Sequence, residues 1–508
     1  MEIWVILLTT VCFCAALKLL LDFLLHNTKA RCPPGPWTVP IIGNFLWLRP
    51  SLLNLKPILR NLHARYGPII TVPIGSQPNI FINSRSLAHQ ALIENGAIFA
   101  DRPPKVNQSA SSTQRGVSSA PYGPYWRLLR RNLTSEILHP SRLKSYRNAR
   151  KWVLQSSISK LREQSESGKA ICVTTHLCHA IFSSIIFMCF GQKFDEKVIK
   201  EVEASQRSFS INYSRFRILS FMPKLGKMVF KKLWKDMFDL QHYRANILTP
   251  LIRAWLEQKE KHENDVQKEN HDTDEVVVSY IDTLFKLWLP DEGRKLNEVE
   301  LRNLCSEFLN AGTNTTTTVV EWIMANLVKQ QDIQAKLYSE IKKVMGEDEE
   351  ITEEDLQKMP YLKAVVLEGL RRHPPLHYGL PHAVTEEFYL DSHVIPKNAT
   401  VHFMVAEMGW DPEVWENPME FCPDRFLSGE GLDITGKNGI KMMPFGVGRR
   451  ICPGYNLALL LIEYFVANLV KDFKWMAVDG KGIDFSEIEQ FEVVMKSPLW
   501  AYISPRVK

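Results

Sequence analysis

The sequence has no two cysteines separated by two residues, and its nine cysteines are spread along the chain. An odd, dispersed set argues against a disulfide framework and against a zinc ribbon, and it fits a reducing compartment. The chain also lacks a dense run of lysine and arginine, and its net charge is only +6 over 508 residues. These absences disfavour a nucleic-acid-binding protein. The mild positive charge instead suits an anionic membrane surface or an acidic protein partner.

No internal repeat is visible, and a composition of 45% hydrophobic and 23% charged residues excludes a disordered chain. Helical periodicity covers most of the sequence. Residues 67–84 contain two β-rich runs that predict a hairpin, and further strand-like pieces lie at 377–405 and near the C-terminus. Residues 258–274 are almost wholly polar and predict an exposed loop between helices. The expected fold is mainly α, of the α+β type, with small β-sheets.

The N-terminal segment predicts a membrane anchor. Residues 3–17 carry no charge and would span about 22 Å as a helix, so the transmembrane helix must extend to about residue 25 to cross a bilayer. A cleaved signal peptide is disfavoured because no basic residue precedes the apolar run. Lys29 and Arg31 follow the span and place the rest of the chain on the cytoplasmic side. We expect an anchor at 1–30, a proline-rich hinge at 31–45 and one large domain at 46–508.

One predicted helix has an unusual centre. Asn297 and Glu300 form a cap-like pair at its start, and an apolar stripe then continues for roughly 30 residues. The middle of that stripe is the stretch "NAGTNTTTT" (310–318), which is rich in weak helix formers. Small and polar residues at the centre of a buried stripe indicate that something is accommodated there.

Residues 444–454 read "PFGVGRRICPG" and point to a cofactor site. Gly446 and Gly448 allow a tight turn close to a flat ligand. Cys452 stands just before a helical run, and a helix N-terminus stabilises a thiolate through its free N–H groups. A thiolate in such surroundings is a good axial ligand for haem iron. The alternative is that Cys452 is simply a buried apolar residue of the core. We adopt that interpretation for most of the other eight cysteines.

The pattern Phe445-x-x-Gly448-x-Arg450-x-Cys452-x-Gly454 resembles that of the cytochrome P450 superfamily, the haem-thiolate monooxygenases. The proline-rich hinge, this loop and the anchor are similar to the plant microsomal branch. The resemblance implies a P450-like helical domain with small sheets behind an N-terminal transmembrane helix. It also implies a haem b whose iron is ligated by Cys452.

Further stretches resemble motifs of this family in the expected order. Glu368-x-x-Arg371 matches its E-x-x-R motif, and "FCPDRF" (421–426) implies that Arg425 joins this pair behind the haem. Trp126-x-x-x-Arg130 matches a motif that points at a haem propionate.

Arg450 and His382 would share the binding of the propionate. The neighbouring Arg127 and Arg131 lie about 100° away on the helix, where they form either a solvated basic face or a docking surface for an acidic reductase.

"AGTNTT" (311–316) resembles the family's oxygen-activation motif. The resemblance implies that Ala311 and Gly312 leave room for dioxygen, and that local weakening of the helix by Thr315 opens a groove for water. Thr315 would then hydrogen-bond the iron-bound oxygen and help to relay protons. Asn314 departs from the usual acid, since an amide does not titrate. Proton delivery is then slower, with more peroxide leakage or with an oxygen intermediate that can attack an electrophilic carbonyl. The alternative is that water alone carries the protons.

The resemblance implies a single-pass enzyme of the endoplasmic reticulum membrane, with its catalytic domain in the cytoplasm. Electrons would come from NADPH through a flavoprotein reductase, and one oxygen atom from O₂ would enter a small, mostly apolar molecule of plant specialised metabolism. Two alternatives remain: a haem-thiolate isomerase or dehydratase that needs no reductase, and a non-catalytic, membrane-tethered haem-binding protein. We expect the walls of the substrate pocket at 103–120, 208–222, 376–381 and 492–498, which contain Phe209, Phe216, Tyr378, Leu380 and Val494. These hydrophobic residues could equally belong to the protein core.

Overall fold

The computed structural model describes residues 4, 9–14, 16–17, 32–36, 55–74, 77–104, 116–221, 228–266, 277–289, 291–346, 350–427, 433–478 and 482–506. The chain divides into two compact units. The first comprises Met1–Pro103, Tyr378–Met404 and Gly436–Ile440. The second comprises Pro104–His377, Val405–Thr435 and Lys441–Lys508.

The labelled helices, in chain order, are α1 (Leu55–Tyr66), α2 (Arg85–His89), α3 (Pro124–Asn132), α4 (Pro140–Ser145), α5 (Arg147–Glu166), α6 (Val173–Phe190), α7 (Glu196–Phe221), α8 (Lys231–Val266), α9 (Tyr280–Phe285), α10 (Glu298–Lys329), α11 (Gln331–Met345), α12 (Pro360–Arg372), α13 (Val405–Gly409) and α14 (Tyr455–Asp472). Short π-helical segments extend α2 and α3, at Gln90–Glu94 and Leu133–Ile137. Single 3₁₀ turns lie at Asp355–Lys358, Pro423–Phe426 and Gly448–Arg450.

The labelled strands are β1 (Ile69–Ile74), β2 (Gln77–Ile82), β3 (Ile171–Cys172), β4 (Trp288–Leu289), β5 (Arg294–Lys295), β6 (His382–Ala383), β7 (Phe388–Leu390), β8 (His393–Ile395), β9 (Thr400–Phe403), β10 (Phe473–Ala477), β11 (Glu487–Glu489), β12 (Val493–Met495) and β13 (Trp500–Pro505). They form small sheets, as the sequence predicts.

The first unit is built around a four-stranded sheet in the order β1-β2-β9-β6. β1 and β2 pair antiparallel from Ile69 opposite Ile82, which confirms the predicted hairpin. β9 then pairs parallel with β2 and antiparallel with β6. Side chains of β1 and β2 pack on Leu59 of α1 in a small apolar cluster. The same unit holds the β7–β8 hairpin.

The second unit is helical, with one large apolar core to which α6, α10, α12 and α14 all contribute. α10 confirms the predicted long helix, with 32 residues and a complete capping box between Asn297 and Glu300. α10 packs most extensively against α6, and it also packs against α12 and α14. This unit also contains the sheet β10-β13-β3 and the hairpins β11–β12 and β4–β5.

The predicted loop at 258–274 is wrong over its first part, because α8 continues to Val266. Charged residues of the Lys and Glu type are good helix formers, so a polar run need not be a loop. Lys259 also has fixed partners: its Nζ lies 2.6 Å from Asp282 Oδ1 and 5.5 Å from the centre of the Trp255 ring. The remainder of the predicted loop, from 267, lies outside the described residues.

Most of the predicted transmembrane helix, at about 3–25, lies outside the described residues, as does the hinge beyond residue 36. The described positions 9–14 and 16–17 are helical and exposed, with Val11 and Phe13 over 60% accessible. Within the described part of the chain, α6 alone is long and apolar enough to cross a bilayer, but 72% of its apolar window is buried inside the protein. It is therefore a core helix.

The cysteines are less buried than we expected. Of the eight apart from Cys452, three are buried, namely Cys178, Cys189 and Cys305. Cys12 and Cys14 are exposed, and the other three are partly buried. The interpretation as buried fillers therefore holds only for the cysteines on α6 and α10.

Candidate active site

The loop that carries Cys452 is built by its own backbone. Gly446 and Gly448 both have positive φ, at 67° and 71°, a region that favours glycine. The Cys452 N–H donates to the carbonyl of Phe445 at 2.8 Å, which closes the loop across the two glycines. The tight turn predicted from these glycines is confirmed. Helix α14 begins at Tyr455 with Gly454 as its N-cap, so Cys452 stands just before the helix, as the sequence predicts.

The surroundings of the Cys452 thiol act on its charge in opposite directions. Burial raises its pKa above the ordinary value, whereas the Gly454 N–H and the positive charge of Arg130 lower it. Burial in turn lowers the pKa of Arg130, and a Cys452 thiolate raises it. The two groups therefore stabilise each other in their charged forms, although burial has the larger effect and the pKa of Cys452 stays raised.

Arg450 and Trp126 form a second element of the site. The Arg450 guanidinium lies 4.3 Å from the centre of the Trp126 ring. Its nitrogens donate to the carbonyls of Val117 and Ala120 at 3.3 and 2.7 Å. The Trp126 indole N–H donates to the same Val117 carbonyl at 3.0 Å. These carbonyls were missed from the sequence, because a backbone acceptor leaves no residue signature.

Trp126 and Arg130 both lie on α3, four residues apart, as their spacing predicts. Trp126 is buried and Arg130 partly buried, whereas Arg127 and Arg131 are exposed. Arg127 and Arg449 approach the Tyr122 ring, at 5.4 and 5.6 Å from its centre. The exposed arginines therefore form a continuous basic surface beside the Cys452 loop.

The centre of α10 presents an open face. Leu301, Leu304, Cys305 and Phe308 are buried, as the stripe predicts. One turn further, Ala311 is exposed and Thr315 is only half-buried, so the expectation that the buried stripe continues through them is wrong. An open face at the small residues can accommodate a ligand. Thr316, Thr317 and Thr318 are turned away and buried.

The local weakening expected at Thr315 does not interrupt α10, which is helical from Glu298 to Lys329. The Thr315 hydroxyl donates to the Ala311 carbonyl at 2.8 Å, and the Thr316 hydroxyl donates to the Gly312 carbonyl at 2.9 Å. Such back-bonding bends a helix slightly without breaking it.

Asn314 and Gly312 have partners that the sequence did not reveal. The Asn314 side-chain amide donates to the Ser210 hydroxyl on α7 at 2.7 Å. A Cβ added at Gly312 would lie 3.0 Å from the tip of Ile185 on α6. Gly312 therefore serves close packing of α10 on α6, a reason separate from room for dioxygen.

Glu368 and Arg371 form a fully buried ion pair on α12. Two parallel hydrogen bonds of 2.7 Å join them. Arg425 Nε lies 3.2 Å from Glu368 Oε1, and the Cys422 N–H donates to the same oxygen at 2.8 Å. Arg371 also donates to the carbonyls of Gly409, Pro418 and Glu420. The three charged residues of the two motifs do come together.

The predicted pocket walls are divided between the units. His382, Tyr378 and Leu380 belong to the first unit, where His382 Nδ1 bonds to the Phe99 carbonyl at 2.7 Å. In the second unit, Phe209 and Phe216 lie on α7 and Val494 on β12. Phe216 packs in a small cluster with Leu219, Trp234 and Met237, which is the core alternative for that residue. Residues 105–115 and 222 of the predicted walls lie outside the described residues.

The comparisons with known proteins identify the family. Residues 33–503 match the family model described as Cytochrome P450. The chain belongs to the cytochrome P450 family. Cytochrome P450 89A9 of Arabidopsis thaliana is 44% identical over 99% of this chain and 98% of its own. Cytochrome P450 98A1 of Sorghum bicolor is 30% identical, and a flavonoid 3',5'-hydroxylase of Solanum melongena is 27% identical. Each of these two matches covers 94% of this chain and 92% of the relative's own chain.

The fold agrees with this family. A zebra fish cytochrome P450 structure with abiraterone has a TM-score of 0.71 over 89% of this chain and 99% of that chain, at 20% identity. Cytochromes P450 are monooxygenases whose haem iron is ligated by a cysteine thiolate. They use O₂ as a co-substrate, and a reductase supplies the electrons. The residues of this chain fit such a haem. Cys452 is near enough to the positive charge of Arg130 for that charge to lower its pKa. Arg450 and Trp126, whose side chains are held by backbone carbonyls, provide a cation and an aromatic ring.

Proposed function

We propose that this chain is an NADPH-dependent haem-thiolate monooxygenase that inserts one oxygen atom from O₂ into a small, mostly apolar plant metabolite. The observation that carries the proposal is the Cys452 loop, in which a thiol is supported by the Gly454 N–H and the charge of Arg130. Haem held by a thiolate supplies the oxygen-inserting chemistry. The chain supplies binding, orientation and protons.

Each group of residues has a part in this proposal. Cys452 would ligate the iron, Phe445 closes the ligand loop, and Trp126, Arg130 and Arg450 would hold a propionate. Charge-assisted hydrogen bonds from arginine to a carboxylate are the strong ones, which is why a basic and aromatic pair suits this task.

The face of α10 formed by Ala311, Gly312 and Thr315 would leave room for dioxygen beside the haem. The Thr315 hydroxyl, which donates to the Ala311 carbonyl, would help to relay protons, and Asn314 would orient a proton-carrying water in place of an acid. Glu368, Arg371 and Arg425 stabilise the fold behind the site.

Aromatic residues of α7 and the named activities of relatives support an apolar plant substrate. Phe209 and Tyr213 lie on α7, and Phe491 packs edge-on to Tyr213 at 4.8 Å. Aromatic walls suit a mostly apolar molecule. Relatives of this chain are named as flavonoid hydroxylases, which supports a substrate from plant specialised metabolism.

We further propose that residues 1–30 anchor the protein in the endoplasmic reticulum membrane, with the catalytic domain in the cytoplasm. The support is the uncharged N-terminal run followed by Lys29, Arg31 and the prolines of the hinge. The exposed Arg127, Arg131 and Arg449 provide a basic docking surface for an acidic flavoprotein reductase.

The proposal is tested by measuring NADPH and oxygen consumption of the full-length protein in membranes with a plant flavoprotein reductase. We expect both to be consumed only when reductase is present, and consumption to rise with accepted small apolar compounds. Turnover of a hydroperoxide without reductase would instead support an isomerase or dehydratase. Haem binding with no consumption under either condition would support a non-catalytic haem-binding protein.

A further inference from the structure

The side chain of Glu307 on α10 holds the turn at 116–120. Its carboxylate accepts hydrogen bonds from the N–H of Val117 at 2.7 Å and from the N–H of Ser118 at 2.8 Å. The Ser118 hydroxyl donates to the same carboxylate. Glu307 lies one helical turn before Ala311, so the turn is bound to the same helix that carries the oxygen-activation motif.

The peptide group between Val117 and Ser118 is bound on both sides. Its N–H donates to Glu307, while its carbonyl accepts from the Trp126 indole and from Arg450. Because a trans peptide group is planar with N–H and C=O pointing in opposite directions, Glu307 lies on one side of it and the Trp126–Arg450 pair on the other.

Gly116 permits this arrangement. A Cβ at position 116 would lie 2.2 Å from Glu307 Oε2 and 2.6 Å from its carboxyl carbon. Any larger residue must therefore displace the Glu307 carboxylate from the two N–H groups that it binds. The turn is also closed on itself, since the Ala120 N–H donates to the Gly116 carbonyl at 2.9 Å.

We propose that Glu307 is a positioning residue that fixes Trp126 and Arg450 for haem binding, acting through the Val117–Ser118 peptide group. This inference rests on the proposed function, which assigns that pair to a haem propionate. The carboxylate fixes the plane of the peptide group, and the peptide carbonyl fixes the indole and the guanidinium. Loss of the carboxylate frees the turn, so that the pair loses its shared acceptor.

The test is the rate at which the ferric holoprotein transfers haem to excess apomyoglobin, together with its haem midpoint potential and far-UV circular dichroism. We expect Glu307→Ala and Gly116→Ala to increase the haem-loss rate about tenfold, since the hydrogen bonds from the Val117 and Ser118 N–H groups and from the Ser118 hydroxyl to the Glu307 carboxylate are lost or displaced. Glu307→Gln should have a smaller effect, because an amide oxygen can still accept from one N–H.

Two matched controls separate positioning from general destabilisation. Ser118→Ala removes only the hydroxyl contact and leaves both backbone bonds to Glu307. Glu298→Ala removes a carboxylate from the first turn of the same helix, where it pairs with exposed Arg253. Both should stay within about twofold of the parent rate.

A double-mutant cycle with Arg450→Ala gives the decisive result. We expect Glu307→Ala to increase the haem-loss rate by a smaller factor on the Arg450→Ala background than in the parent, because the Val117 carbonyl then positions Trp126 alone. An unchanged haem-loss rate in Glu307→Ala and Gly116→Ala, or full additivity with Arg450→Ala, overturns the inference. If Glu307→Ala does not fold, Glu307→Gln and Gly116→Ala decide in the same way. A parent protein without thiolate-ligated haem overturns the proposed function as well, which distinguishes the two failures.

Discussion

At the residue scale, the chemistry assigned to Cys452 depends on a few neighbours that compete with burial. Desolvation disfavours a buried thiolate, and the Gly454 N–H and the Arg130 charge oppose this effect. The cysteine itself is recognisable from the sequence because its loop needs two glycines with positive φ. The contribution of Arg130 is less accessible, since it depends on how α3 packs near the loop.

A prediction at this scale concerns Asn314. Replacement by Asp restores a titratable group, and the Ser210 hydroxyl can reverse its role and donate to the new carboxylate. We expect Asn314→Asp to reduce the peroxide released per NADPH consumed by roughly twofold or more, because an acid speeds proton delivery. The measurement is peroxide and NADPH in the reductase-coupled assay.

Ser210→Ala is the matched control, since it removes the partner of Asn314 without adding an acid. It should not lower peroxide release. An unchanged peroxide ratio and product profile in Asn314→Asp would favour the alternative in which water alone carries the protons.

Ser210 and Glu307 show what sequence reasoning misses at this scale. Both contact residues or backbone groups more than 100 positions away in the chain, and neither belongs to a recognisable motif. Gly312 shows the converse: it was interpreted through the motif, but the structure adds its contact with Ile185 on another helix. Motifs reveal residue types and spacing, whereas partners depend on tertiary packing.

At the element scale, α12 illustrates a buried charge that must remain paired. Glu368 and Arg371 have no exposed side-chain surface, so removing either charge leaves the other buried. We expect Glu368→Gln to lower the free energy of unfolding by roughly 3–5 kcal/mol. Denaturant titration of the purified protein measures this change.

Arg425→Ala provides the comparison, because Arg425 is partly exposed and contributes a single contact of 3.2 Å to Glu368. Arg425→Ala should lower the free energy of unfolding by about 1 kcal/mol. Equal losses for the two variants would contradict the assignment of the main stabilisation to the Glu368–Arg371 pair.

Helix α14 carries a buried carboxyl, Glu463, that makes the stability of the protein depend on pH. Burial raises the pKa of Glu463 to about 7, and the charge of Lys363 only partly opposes this. Between pH 4.5, the ordinary pKa of the carboxyl, and pH 7, Glu463 is therefore protonated in the folded state and ionised in the unfolded chain. The contribution of Glu463 to stability is present at low pH and is lost as pH rises through this window.

We expect Glu463→Gln to raise the unfolding temperature at pH 8 relative to the parent, and to have little effect at pH 5. The corresponding gain is roughly 1–3 kcal/mol. Thermal unfolding at both pH values measures it, with the exposed Glu386→Gln as control. An equal shift at pH 5 and pH 8 would contradict the raised pKa.

Among the elements, α10 was well predicted and the end of α8 was not. The capping pair of Asn297 and Glu300 and the apolar spacing are local signals, and they fix the start and the face of α10. The polar run at 258–266 has no apolar spacing, so only tertiary contacts such as Lys259 with Asp282 indicate the helix. The hairpin β1–β2 was predictable because alternation and turn residues are local as well.

At the scale of the whole molecule, the family and the mainly helical fold with small sheets follow from the sequence, because the cysteine loop, the E-x-x-R motif and the oxygen-activation stretch occur in one order. The division into two compact units does not, since the first unit joins three segments that are distant in the chain. No local pattern reports such a grouping.

A prediction at this scale concerns the basic surface of Arg127, Arg131 and Arg449. We expect Arg127→Glu combined with Arg131→Glu to raise the KM for the reductase by about tenfold at low salt, and by less at high salt. Cytochrome reduction by NADPH at varied reductase concentration measures this effect.

The control is Lys342→Glu with Lys343→Glu, a pair of exposed residues on α11. If both double variants change the KM equally, net charge rather than a docking surface is responsible. If neither changes it, the basic face is solvated only.

The central claim, that Cys452 ligates a haem iron, is tested most directly by one spectrum. The full-length protein is reduced with dithionite and exposed to carbon monoxide, and its Soret band is compared with that of Cys452→Ala. We predict the strongly red-shifted band of thiolate-ligated haem in the parent and its loss in the variant. A band typical of histidine-ligated haem in the parent, unchanged in Cys452→Ala, would contradict the account at its centre.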